Sequence, residues 1–174
     1  MIETRRERAV RLWRESDWAE VAAFLGPNAH RFEGAWAKTR DKMAERGAGI
    51  AWSWSWPALL FSFGWFFYRR QWAIGAVLLI LPIALALLLE RAPGTLGAFI
   101  VIAVMGKSLV VQDAVNRIAK IKEKGGGMAK ITAAGGVSIP GAILGGLILA
   151  IGAAGVLLIM FDAGQSAGGS IIRN

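Results

Sequence analysis

Residues Ala73 to Leu89 read AIGAVLLILPIALALLL, a run without a single charge. Such a segment has no polar face to turn toward water, so it is either buried all round or placed in lipid. Two further stretches share the property. Thr95 to about Gln112 carries one charge, Lys107, and Ser138 to about Phe161 carries none. Of the 174 residues 55% are hydrophobic, and the excess falls in these blocks after Ala51 rather than in one soluble core. The pattern predicts an all-α membrane protein with three transmembrane helices, within 73–161. They lie at about 73–89, at 95–112 continuing to 124, and at 138–161. Pro82 is expected to kink the first, because it frees a carbonyl one turn earlier. Glu90 to Gly94 reads as a tight turn, Gly125-Gly126-Gly127 as a helix stop, and 162–174 as a flexible Gly- and Ser-rich tail.

A belt of aromatic residues, Ala51 to Trp72, precedes the first span. Pro57 suits a first helical turn. A helix from there to Tyr68 reaches only about 18 Å, short of a hydrocarbon core of about 30 Å. Basic residues stand on both sides of it, Arg40, Lys42 and Arg46 before and Arg69 and Arg70 after. A crossing would put one set on the far side, against the tendency of such residues to stay in the cytoplasm. The expectation is an interfacial or re-entrant helix over 51–72. Trp52, Trp54, Trp56, Trp65, Arg69, Arg70 and Trp72 then serve as membrane-interface residues.

The first fifty residues predict amphipathic helices. Residues 3–15 are rich in Arg and Glu, and Asp17 with Glu20 fits an N-terminal cap. Trp18, Val21, Ala22 and Leu25 recur at helical spacing until Gly26-Pro27 stops them. Asn28 is placed to cap a third helix to about Arg46, with the stripe Ala29, Phe32, Trp36, Thr39 and Met43. Region 1–50 is too short for a core of its own, so these stripes need a membrane surface or the ends of the spanning helices.

The formal net charge is +8. The basic clusters flank apolar spans, which points to anionic lipid headgroups as partner and not to nucleic acid. Cysteine is absent, and His30 is the one histidine. Thiolate metal sites and Cys nucleophiles are thereby excluded, and a multi-histidine metal site, a His relay or a cofactor is not expected. Gly106-Lys107-Ser108 resembles the end of a phosphate loop, but Val101 stands where that motif needs glycine. Gly164 to Gly168, GQSAG, spells a nucleophile elbow without the sheet or the histidine partner it requires. No pair of acid and base groups converges by spacing, so the chain is not expected to be an enzyme.

Residues 24–118 resemble the bacterial membrane family known as domain of unknown function 2628. Phe24-Leu25-Gly26-Pro27-Asn28 and Trp36 are similar to its leading helix. Ser55-Trp56-Pro57-Ala58 and Gly64-Trp65-Phe66-Phe67-Tyr68-Arg69-Arg70 are similar to its aromatic core, and Gly106 through Asn116 to Lys120 to its closing helix. The resemblance implies a cytoplasmic-membrane location and transfers no catalytic residue.

The expected function is therefore non-catalytic: an integral membrane accessory or scaffold protein. Its expected place is the cell inner membrane, multi-pass, with the N-terminus cytoplasmic. Gly141, Gly145, Gly152 and Gly155 on the last span form the candidate helix-packing face, toward a second copy or another membrane subunit. The alternative is an oligomeric channel or small-solute permease. There Lys107, an ionisable group within a span, would contact the pathway or the lipid.

Overall fold

The computed structural model describes residues 4–89 and 95–171. Among the described residues it is all helical, with no strand. The helices are α1 Arg5–Arg14, α2 Trp18–Leu25, α3 Glu33–Arg46, α4 Trp56–Tyr68, α5 Trp72–Leu89, α6 Thr95–Glu123, α7 Met128–Ala134 and α8 Ile139–Ile171.

Local chemistry sets the first boundaries. Thr4 and Glu7 close a reciprocal capping box at the start of α1, and the Asp17 side chain accepts from the Ala19 N–H at the start of α2. Asn28 does not cap a helix. Ala29–Phe32 is instead a 3-10 turn with no side-chain cap, and α3 starts at Glu33. Side chains three apart eclipse in such a turn, which sends Ala29 and Phe32 together into the core. Gly47 ends α3 at φ 67°, where a Cβ would stand 2.9 Å from the Arg6 carbonyl oxygen, so α1 and α3 meet there almost backbone to backbone.

The N-terminal stripes find their partner on the chain itself. The second half of α6 is a central post whose Val110, Val111, Ala114, Val115 and Ile118 are buried against Trp13, Val21, Phe24 and Leu25. Exposed pairs Lys122–Glu20 at 2.8 Å and Arg8–Glu123 at 2.6 Å mark which faces meet, although such pairs hold little energy. Helix α7 has no counterpart in the sequence-based expectations. It is a short apolar turn between glycine clusters that buries Ile131 and packs on α2, with the Gly136 N–H donating to the Phe24 carbonyl at 2.7 Å.

Helix α4 is kinked. Just before it, the N–H groups of Ser53 and Ser55 each donate at 2.9 Å to the carbonyls of Val104 and Ala103. Just after it, the Gln71 side chain donates to the Val110 carbonyl at 3.2 Å. Those anchor points on α6 are about 10 Å apart, whereas a straight helix of this length would reach about 20 Å. The difference is absorbed at Ser62, which has φ 43° and ψ −123° inside the helix. A side-chain-bearing residue in that region costs on the order of 1–3 kcal/mol. Ser62→Gly should therefore raise the thermal midpoint in detergent, by an amount corresponding to about 1 kcal/mol. Ser62→Val should lower it, and a circular-dichroism melt of both variants distinguishes the two.

Helix α8 lies antiparallel to the second half of α4, with the Ser138 N–H bonded to the Tyr68 carbonyl at 2.7 Å and Gly145 against Gly64. The helix continues to Ile171, past the expected end near Phe161. The expected flexible tail at 162–174 is thus helical as far as Ile171, since each residue added to an existing helix gains a hydrogen bond at little cost. Its last three residues, 172–174, lie outside the described residues, as does the expected turn at 90–94. Helix α5 runs through Pro82 without interruption.

The sequence predicts three membrane crossings. By length and composition, one apolar helical stretch among the described residues, within Met128–Leu158, suffices to cross a membrane, and Trp72–Ala84 of α5 is apolar but shorter.

Candidate functional site

A large open space lies beside the broken helix. The 3-10 turn, α4, α6 and α8 line an open-sided cavity of about 780 Å³, a volume typical of small-molecule sites. Because α4 and α8 run antiparallel, its lining changes along its length. Near the end of α4 stand Asn28, Arg31, Tyr68 and Arg69, with Lys107 reaching in from α6. Toward the break in α4 the walls become Phe61, Gly64, Gly146 and Leu149, with Trp54 and Trp56 at the side. No Asp or Glu lines the cavity among the described residues.

Arg69 is the most constrained of the three cations. It is 8% exposed. Its Nη1 donates to the Leu25 carbonyl at 3.1 Å, and its guanidinium lies over the Phe32 ring at 4.5 Å. Its Nε is buried with no hydrogen-bond partner. Burial lowers the Arg69 pKa below the ordinary arginine value, the Tyr68 side chain opposes that, and the positive charge of Arg31 adds to it. Arg31 stands close enough to bear electrostatically on both Arg69 and Lys107. Among the described residues no ion pair joins any of the three to a carboxylate.

The expected interface residues divide into two groups. Trp52, Trp54, Trp56 and Trp72 are exposed. Trp65 is buried, stacked on Phe32 at 6.2 Å between ring centroids, so it serves as core and not as an interface anchor. Arg69 is likewise turned inward, and Arg70, at φ 58°, donates to the Gly135 carbonyl at 3.0 Å. The two arginines fasten the end of α4 to α2 and to the segment after α7.

The expected packing glycines divide as well. Gly141 and Gly145 are consumed within the chain, pressed on the Phe67 carbonyl and on Gly64. At Gly152 and Gly155 an added Cβ would meet nothing within 4 Å, so that part of the face is open. Lys107 lines the same cavity as Ala142, Gly146 and Leu149 of α8. Ser108, its neighbour in the phosphate-loop look-alike, is buried in a helix, bonded to Thr39 Oγ1 at 2.8 Å and accepting from the Ala51 N–H at 3.2 Å. Gly106 there allows Ala58 and Trp65 to approach α6. Residues 164–168 are helical, and His30 is exposed. No cluster of metal-ligating side chains occurs among the described residues.

A family model described as "Protein of unknown function (DUF2628)" matches residues 18–123. The chain belongs to the DUF2628 family. The matched part runs from α2 through α6 and includes Arg31, Arg69 and Lys107, whereas the α8 wall of the cavity lies beyond it. No curated protein and no solved structure matches the chain.

Sequence reasoning did not find Arg31 as a site residue. Counted along one regular helix it falls on the charged outer face with Lys38 and Asp41. The 3-10 turn changes that phase, and only Gly26-Pro27 upstream hinted at it.

Proposed function

We propose that this DUF2628 chain is a non-catalytic, multi-pass protein of the cytoplasmic membrane that serves as an accessory or scaffold subunit. Helices α5, α6 and α8 cross the bilayer. The broken α4 enters and leaves on the inner side, and α1–α3 with α7 form the cytoplasmic cap. The single observation that carries the reading is the bare outer half of α8. Leu147, Ile151, Val156, Leu157, Leu158 and Phe161 are exposed there, with open glycines among them. A surface so apolar is at home only in lipid or against another membrane helix. The use of the interior polar groups also supports it, since Gln71, Gln112, Arg70 and Arg117 each hold a backbone carbonyl. Assembly through α8 then depends on Gly152 and Gly155, and not on Gly141 and Gly145. Gly152→Leu with Gly155→Leu should abolish an oligomer, or the co-purification of companions from native membranes, without changing the melting temperature. A wild-type chain that is monomeric in mild detergent and leaves native membranes alone would refute the scaffold role.

A further inference from the structure

The polar end of the cavity gathers three positive side chains and supplies no negative one. Placing like charges together in a partly desolvated space is unfavourable unless an anion joins them. Arg69 lines this end, and among the described residues no carboxylate pairs with it, with Arg31 or with Lys107. Guanidinium groups match phosphate geometry, and a lysine adds a point charge. The other end of the space, between Phe61 and Leu149, is walled mainly by apolar side chains and glycines, with the Trp54 and Trp56 indoles at its side and no charged group. A free inorganic anion would occupy a small part of a volume of about 780 Å³ and leave that end unfilled.

We propose that the cavity binds an anionic amphiphile of the phospholipid class, its phosphate among Arg31, Arg69 and Lys107 and its hydrocarbon along Phe61 and Leu149. The assignment rests on the membrane reading above, because the hydrocarbon must enter sideways from the bilayer between the first half of α4 and α8. Trp54 and Trp56 flank that entry, where their rings would meet the glycerol region. Residues on both sides of the kink at Ser62, Phe61 and Gly64, line this space.

Native mass spectrometry of the full-length chain in neutral detergent tests the proposal, with dioleoyl phosphatidylglycerol, dioleoyl phosphatidylcholine and glycerol 3-phosphate as probes. One phosphatidylglycerol should bind at a concentration about tenfold below that needed for phosphatidylcholine, since only the first is a net anion. Arg31→Gln and Lys107→Gln should each weaken phosphatidylglycerol about fivefold, roughly the effect of one charge near a lipid phosphate. Both variants should weaken phosphatidylcholine by less than this, since its choline already offsets the phosphate charge, and leave the melting temperature unchanged. Lys38→Gln, an exposed cation outside the cavity, should change nothing. Equal binding of the two lipids, or an equal loss in Lys38→Gln and Arg31→Gln, overturns the site. Glycerol 3-phosphate binding as tightly as phosphatidylglycerol assigns the cavity to a soluble anion and overturns the amphiphile. A chain that stays dispersed without detergent sinks the membrane reading instead, an outcome separable from all of these.

Discussion

Gly145→Leu is expected to detach α8 from α4. A Cβ at that position would sit 2.6 Å from the Gly64 Cα and 3.3 Å from its carbonyl oxygen. Both are backbone atoms, so no side chain can swing aside, and the two helices must separate or tilt. Overpacking of a well-packed contact costs about 1–3 kcal/mol, and a clash between backbones belongs at or above the top of that range. The loss should appear as a fall in the melting temperature of the detergent-solubilised protein and as protease sensitivity between α7 and α8. Gly152→Leu, one face further out with nothing within 4 Å, is the matched control and should melt as the wild type does. If the two variants behave alike, the α4–α8 contact is wrong. The cavity should also be lost in Gly145→Leu, since α8 is one of its walls.

The second large effect separates two roles among the tryptophans. Trp65→Ala should cost about 3–5 kcal/mol, the range for deleting a fully buried large aromatic side chain. Trp65 is 6% exposed, stacks on Phe32 and meets Phe66 edge-on at 5.1 Å. Trp52→Ala should barely change the melting temperature, because Trp52 is 77% exposed. Its effect should appear instead in membrane partitioning, where an interfacial indole contributes. A melting series of the two variants in one detergent decides the matter. Equal, small shifts would return Trp65 to the interfacial belt.

These two predictions also indicate which parts of the fold were legible from residues alone. The stripe of Trp18, Val21 and Leu25 and the edge of Val111, Ala114, Val115 and Ile118 follow from helical spacing. Both are buried in the same cluster, apart from the half-buried Trp18. Spacing does not say which stripe meets which, so the partner of the N-terminal helices was open between lipid and protein. The small-xxx-small step at Gly141 and Gly145 was equally visible as a packing surface. Its partner, Gly64, was not, because a glycine inside an aromatic run carries no periodic signal. Trp65 and Arg69 lie in a segment whose composition matches a headgroup belt, and composition averages over both faces of a helix. Ser62 is the clearest limit: serine has no special tendency toward positive φ, so nothing local announced the break. The cavity depends on that break, on the 3-10 turn that carries Arg31 and on the approach of α8. It is a product of tertiary packing and was beyond the reach of any motif.

Vectorial labelling of single cysteines in oriented inner-membrane vesicles tests the central arrangement most directly. The chain has no cysteine of its own, so each introduced thiol reports one place. Ala48→Cys, before the broken helix, and Lys124→Cys, after α6, should react with an impermeant reagent from the cytoplasmic face only. Phe161→Cys, far along α8, should react from the opposite face only. Labelling of Ala48→Cys and Phe161→Cys from the same side would contradict the account, because α8 would then not cross the bilayer.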